Sequence, residues 1–483
     1  MRLPFRPIVS ALVLALAATG CASVPSQLDT ISPQVLRGHV SFLASDALEG
    51  RGTPSRGQDV AIEYIAAQFR AAGLEPGGDD GYYQTANWQY AERKAGDIAL
   101  SVTAGGTTVE VPAGGATGNF LDAVTLAKAQ VVAMGWKEAL ENNAAADGKV
   151  LVVQAGPVPG AARVLQQKLT SKPALVILID KEKHHGAGTG GWLVDPEQPA
   201  VKGATPVLVV HAADAAEALA KGGATVTARV AAAALRPVKL RNVVGVLPGS
   251  DPSLKSTYLL VTAHHDHVGI RDGEVFNGAN DDASGVVSAI EIARALSAQK
   301  ERPRRSIVFM TFFGEELGLL GAKYYARHPV FPLKDTVAMI NLEQTGRTDD
   351  SEGKQVGAVA MTGFDYSTVS SMLQGAAQRT GVKLWKHASF SDAFFSRADN
   401  QALADAGVPA HTLSVAYAFP DYHGKDNTWD KLDYDNMARV TRMLAAGVYD
   451  IANDTTRPTW TNVPKAASYA AKGRELTGGA AAK

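Results

Sequence analysis

Short, unbroken apolar runs recur in the second half of the chain: Tyr258 to Ala263, Ile307 to Phe313, Val337 to Leu342 and Thr412 to Ala416. Between the first two lie Val286, Ile290, Ala293 and Leu296, spaced as one face of a helix. Runs that are continuous instead of alternating belong to strands buried on both faces. The expected fold class is therefore α/β, a mostly parallel sheet with helices on both faces. Ligands of such sheets gather at the carboxyl ends of the strands. Earlier in the chain, Ile62, Ile65, Phe69 and Ala72 mark another amphipathic helix, with Gly73 placed to end it. The stretch Leu48-Glu49-Gly50-Arg51-Gly52-Thr53 before it is a functional loop or a connector, and its turn-forming residues favour the connector.

From about Asp97 to Val230 the texture changes to Ala, Gly and Val with short β-type runs such as Val150 to Val153 and Ala174 to Ile179. A separate, smaller β-rich α/β module is expected there. His184 and His185 stand in a Gly-rich loop of it with no partners at ligand spacing, which reads as a solvated loop. The length of 483 residues favours more than one domain. A net charge of -1 gives no electrostatic reason to expect nucleic acid as a partner.

The ends read differently. Arg2 and Arg6 precede an apolar stretch, Ile8 to Ala18, too short to span a bilayer, as in a signal peptide over residues 1–20. Ala18-Thr19-Gly20-Cys21 resembles the lipobox of bacterial lipoproteins. That likeness implies export, a lipid anchor on Cys21 as the sole membrane attachment and, with Ala22 next, an outer-membrane location facing the periplasm or the surface. A plain secretory peptide is the alternative. Cys21 is the only cysteine, so a thiolate zinc site and an internal disulfide are excluded. Residues 456–483 become rich in Ala, Gly and Lys towards the end, and a poorly ordered tail is expected.

Every candidate for chemistry falls at or just after the end of an apolar run. His264 and Asp266 follow the first and, if the chain stays extended, project to one side, so that one can orient the other. Asn280-Asp281-Asp282-Ala283-Ser284-Gly285 opens the helix that carries Val286, where carboxylates are favoured and where capping alone is a sufficient reading. Glu315 and Glu316 follow a strongly apolar run, and two adjacent carboxylates there are costly unless a cation or proton relieves them. One of the pair can bind a metal while the other takes a proton from water; a first-turn helix pair is the alternative. Glu343 ends the third run, and His423 lies in a turn after the fourth. Two histidines and three carboxylates exceed the three protein ligands that one catalytic zinc usually takes. Two metals sharing a carboxylate fit the count and suit hydrolysis.

Taken in order, Ala263-His264-His265-Asp266-His267-Val268-Gly269, Asn280 to Gly285, Gly314-Glu315-Glu316-Leu317-Gly318, Asn341-Leu342-Glu343 and Asp421-Tyr422-His423 resemble the zinc aminopeptidases of metallopeptidase family 28 over about residues 28 to 455. The resemblance implies two Zn2+ per chain, with His264 and Glu343 on one, Glu316 and His423 on the other, and Asp281 between them. It makes Glu315 the general base that serves a hydroxide shared by the metals, Asp266 the residue orienting His264, and Tyr422 a stabiliser of the developing oxyanion. His265 and His267 become bystanders. Peptides with a free N-terminus are the implied substrates. The middle module looks like a protease-associated domain inserted at residues 110–235, which leaves 28–109 and 236–455 to the catalytic domain. Glu343 and Gln344 depart from the commoner Asp and apolar residue, which touches specificity more than activity. Phe394, Phe395, Tyr417 and Phe419 are candidates for a side-chain pocket or for core. A glutaminyl cyclase, a carboxypeptidase for acidic C-terminal residues with Arg397 as its cation, and a non-catalytic receptor-like relative are the alternative functions; oligomeric state is not readable.

Overall fold

The computed structural model describes residues 27–156, 160–180, 191–198 and 204–478. The signal segment with Cys21, and His184 and His185, lie outside these residues. The chain divides into two compact units: residues up to Thr85 together with Arg241–Lys483, and Ala86–Leu240. The second unit encloses the stretch 110–235.

The first unit is built on the strands β1 (Ala234–Leu247), β2 (Tyr258–His264), β3 (Ser306–Phe312), β4 (Thr336–Leu342), β5 (Ala358–Met361), β6 (Lys383–Trp385) and β7 (Ala410–Ser414). Their order across the sheet is β6-β5-β7-β4-β2-β3-β1. Strands β3, β2, β4 and β7 run parallel, while β1 and β5 join them antiparallel. The helices are α1 (Pro33–Leu43), α2 (Arg56–Ala71), α3 (Ser284–Ser297), α4 (Leu320–Arg327), α5 (Val369–Thr380), α6 (Asn400–Asp405) and α7 (Tyr434–Asn453). The expected mixed α/β architecture with a mostly parallel centre is the one found.

Alternation along the strands explains the unbroken apolar runs. Leu259, Val261 and Ala263 enter one core together with Ile307, Phe309 and Ile340, whereas Leu260, Val308, Met310 and Met339 enter another. Successive side chains point to opposite faces, and both faces are covered, so every position must be apolar. Helices α1, α2, α3, α5 and α7 supply the first core; α4, α6 and the C-terminal segment supply the second. Local signals start these helices: Ser32 and Ser55 cap α1 and α2, and Asp433 accepts from Asn436 N at 3.0 Å to begin α7.

Because four neighbouring strands run the same way, their carboxyl ends share one edge, where His264, Glu315 and Glu343 all emerge. The expected disorder of the tail 456–483 is corrected by the structure over its described part, up to residue 478. Ala467–Leu476 is helical, and Tyr469 stacks on Trp460 with ring centroids 5.3 Å apart. A few aromatic anchors hold a segment whose overall composition is small and polar.

The second unit, Ala86–Leu240, holds a sheet of eight strands. Val150–Gln154, Leu175–Ile179 and Val207–Val210 form its parallel centre. Apolar residues pack on both faces, with Leu100, Val152 and Ile177 in one cluster and Leu151, Val176 and Leu178 in the other. No described helix of either unit is long and apolar enough to cross a membrane.

Candidate metal centre

Asp281 stands at the middle of the candidate site. One of its carboxylate oxygens lies 3.2 Å from His264 Nε2, and the other lies 3.2 Å from His423 Nε2. His423 Nε2 is in turn 3.1 Å from Glu316 Oε2. Glu315 and Glu343 line the same pocket as His264 and Asp281, together with Tyr422, Phe394, Tyr417 and Arg397. All five predicted ligands, from three strand ends, the start of α3 and a loop before α7, therefore meet in one place.

Local structure sets each of them. Asn280 to Asp282 form an irregular turn before α3 whose polar side chains grip neighbouring loops. Asn280 Oδ1 accepts from Gly346 N and Arg347 N, each at 2.9 Å. Asp282 accepts from His264 N at 3.3 Å, Gly285 N at 2.9 Å and Gln344 N at 3.2 Å. The ends of β2 and β4 and the start of α3 are thereby fixed to one carboxylate. Glu343 Oε1 accepts from Asn341 Nδ2 at 2.8 Å, and Asn341 Oδ1 accepts from Thr262 Oγ1 at 2.7 Å. Asp266 sits against His264: its backbone oxygen is 3.1 Å and its carboxylate 3.6 Å from His264 Nδ1, while the same carboxylate oxygen accepts from Glu315 N at 3.0 Å. Asp266 thus orients both His264 and the Glu315 turn.

The charges in this dry cluster separate. Burial alone would raise the Asp281 carboxyl, but His264 and His423 against it hold it well below the ordinary carboxylate range. Glu316, buried and pushed up by Asp281, is nevertheless brought down to about 2 by His267 and His423. Glu315 goes the other way. Its burial outweighs the pull of His264, and Glu343 and Glu316 add to the rise, so its carboxyl lies well above the usual range. Glu343 is pushed up to about 7, by burial first. Of two adjacent glutamates, one is pushed towards the charged form and the other towards the protonated form.

His267 and Arg51 are the residues that sequence reasoning misplaced. His267 was expected to be a bystander, yet its ring is fully buried, with Nδ1 2.7 Å from Glu316 Oε1 and 4.0 Å from Asp281 Oδ2. It stands one residue past Asp266 and three past His264, so alternation along an extended chain does not place it on their side, and only the crowding of histidines in His264-His265-Asp266-His267 could have flagged it. His265, by contrast, turns its ring to Thr311, with Nδ1 3.0 Å from Thr311 Oγ1. The Leu48 to Thr53 stretch, expected as a connector, buries Arg51, 1% exposed, against the backbone of His265, Asn277 and Gly278. Of the four aromatic candidates, Phe394 and Tyr417 line the pocket, whereas Phe395 belongs to the core. Phe419 is also buried, edge-on to Tyr422 at 5.7 Å.

The donor set fits zinc. His267 Nδ1 and Glu316 Oε1, though 2.7 Å apart, make no hydrogen bond, and neither has another partner. His267, Asp281 and Glu316 each offer a ligand atom within 4.8 Å of the other two. The contacts of 3.1 to 3.2 Å among His264, Asp281, His423 and Glu316 match the ligand-to-ligand spacing of roughly 3.3 Å around a tetrahedral zinc.

Comparison with known proteins agrees with this geometry. The model of peptidase family M28 matches residues 242–448. The vacuolar membrane protease of Candida dubliniensis is 29% identical over 212 residues, which cover 44% of this chain and 20% of that protein. A probable zinc metalloprotease of Pyrenophora teres f. teres is 38% identical over 124 residues, 24% of this chain and 25% of that protein. The matches thus span about a quarter or less of these relatives' own length. Among solved structures, an aminopeptidase from Aneurinibacillus sp. strain AM-1 superposes with a TM-score of 0.61 at 22% identity over 88% of this chain and 95% of that one. BSAP, a zinc aminopeptidase from Bacillus subtilis, gives 0.58 at 19% identity over 88% and 96%. At such identities the likeness speaks for the fold, and the matched segment holds all five ordered motifs. Residues 242–448, the segment that is similar to peptidase family M28, are thus the segment that carries the candidate centre.

Proposed function

We propose that the chain is a zinc-dependent aminopeptidase that removes the N-terminal residue of peptides. In this reading two zinc ions are held by His264 and Glu343 on one side and Glu316 and His423 on the other, with Asp281 shared. The observation that carries it is the division of Asp281, whose two oxygens face different histidines, each at 3.2 Å. When bound, zinc supplies Lewis acidity for the scissile carbonyl and makes water acidic enough to react near neutral pH.

The side chains do the rest. Glu315, buried in the pocket wall, takes the proton of the attacking water and delivers it to the departing amine. Burial and the nearby Asp281, Glu316 and Glu315 carboxylates push the Tyr422 hydroxyl far up, so it keeps its proton and donates a hydrogen bond to the developing oxyanion. Phe394, Thr362, Thr412 and Tyr417 give the first side chain of the substrate a mixed apolar and hydroxyl-lined recess. Export and lipidation at Cys21 belong to the same proposal, and palmitate labelling lost in Cys21→Ser is its test.

A panel of aminoacyl fluorogenic substrates, run with and without a chelator, tests the activity. Release is expected from free N-termini and not from acetylated ones, and chelation abolishes it. Equal cleavage of acetylated substrates, or turnover that survives metal removal, sinks the reading. One observation favours a second reading, carboxypeptidase action on acidic C-terminal residues: the guanidinium of Arg397 lines the pocket, stacked 4.4 Å over Phe394. Release of a C-terminal glutamate from an N-acetylated dipeptide would select it.

A further inference from the structure

We propose that Arg51, in a segment outside every motif of the site, is a positioning residue that locks together the two loops carrying His264 and Asp281; the inference rests on the zinc reading above. Its guanidinium donates from Nε to His265 O at 2.9 Å, from Nη1 to Asn277 O at 2.8 Å and to Leu43 O, and from Nη2 to Gly278 O at 2.9 Å. His265 O lies between His264 and Asp266. Asn277 and Gly278 precede Asp281 by a few residues. One rigid, planar fork therefore spans the two loops whose side chains must stand 3.2 Å apart. The backbone takes part too, since Arg51 O accepts from His267 N at 3.3 Å.

Three features distinguish this arrangement from an ordinary buried arginine. Among the described residues, all the hydrogen-bond partners of the guanidinium are backbone carbonyls, with no carboxylate in direct contact. A buried cation is normally paired, because desolvation is expensive. Here the compensating charge comes from Asp266, Asp282, Asp281 and Glu316, which are close enough to act on it without touching it. The third feature is the backbone approach. A Cβ at Gly50 would stand 2.3 Å from Phe276 O, and one at Gly52 would stand 3.1 Å from Gly269 Cα. Glycine on either side lets the Arg51 turn press against the loops that it holds, and Gly50 also takes a φ of 64°, which glycine adopts freely.

A geometric role and an electrostatic role predict opposite signs. A cation beside a metal centre repels the metal, so removing the charge alone should tighten zinc. Removing the fork should loosen it, because the ligands lose their preset spacing. The experiment uses the full chain stripped of metal, titrated with zinc against a chromophoric chelator, with thermal unfolding of the metal-free protein measured in parallel. Arg51→Lys keeps the charge and loses the fork. Gly52→Ala keeps the charge and the fork but pushes the loops outward.

Zinc affinity is expected to fall by about tenfold or more in Arg51→Lys, and in the same direction in Gly52→Ala. A merely structural role would lower the unfolding temperature and leave the affinity of the folded protein unchanged. Unchanged or tighter zinc binding in folded Arg51→Lys overturns the inference. If that variant does not fold, Gly52→Ala decides by the same criterion. The wild-type titration separately tests the metal reading, and a wild type that takes up no zinc overturns both.

Discussion

Two carboxylates in one pocket are pushed in opposite directions by their surroundings, and substitution should tell them apart. Asp281 is kept ionised by two histidines, while Glu315 is kept able to carry a proton by its burial beside Glu343 and Glu316. Glu315→Gln is expected to lower kcat by about 10³-fold while zinc content, read by elemental analysis, stays as in the wild type. Asp281→Asn should lose zinc as well as activity. A different residue contributes to the acid sensitivity of the fold. His411 is buried, its Nδ1 donates to Thr362 O at 2.8 Å, and its Nε2 accepts from Ser367 Oγ at 2.6 Å. Burial lowers its pKa from 6.5 to about 4. Between those values the unfolded chain binds the proton that the folded chain refuses, so stability rises with pH there. This contribution is complete above about pH 6.5 and fades as the pH falls towards about 4, a span worth roughly 3 kcal/mol. Urea titrations at several pH values should show a flatter acid limb in His411→Gln.

At the scale of elements, the site is a meeting of strand ends, and Asp282 is the tie. Its carboxylate accepts backbone hydrogen bonds from the end of β2, the start of α3 and the residue after Glu343. Asp282→Ala should cost the metal-free protein about 3 kcal/mol in denaturant unfolding, because three buried N–H groups lose their acceptor at once. A loss well under 1 kcal/mol would mean that those loops are held by something else. The strands were legible because both faces are covered, and four of the five candidate ligands were legible because each is a polar residue close after an apolar run or at a helix start; His423, in a turn beyond the last run, was weak alone and gained weight only beside the others. Asp282 was visible only as a capping residue; the reach of its second oxygen to β2 and to Gln344 leaves no mark in the sequence. Arg51 was harder still. Its partner His265 lies 214 positions away, and a backbone carbonyl carries no residue signature. The C-terminal helix was misread for a compositional reason, since two aromatic rings are enough to order a segment that averages as polar.

The whole molecule consists of two units with separate cores. Every strand of the eight-stranded sheet lies within residues 86–240, with apolar clusters on both of its faces. Expressed alone, that stretch should give a cooperative thermal transition; a broad, featureless melt would mean that its cores are insufficient. In the other unit the segment that holds Trp460 and Tyr469 bears on the candidate pocket. Phe395 is packed from behind by Tyr469 at 5.3 Å and Trp460 at 6.5 Å, while its neighbours Phe394 and Arg397 face the pocket. The carboxyl-terminal segment is thus a buttress for the wall on which a substrate would lean. Trimming the chain from Arg457 onward should weaken substrate capture by about tenfold, seen as a higher KM, before it touches turnover. Anyone preparing this protein would do well to fix their purification handle with a generous spacer, or to avoid that terminus altogether.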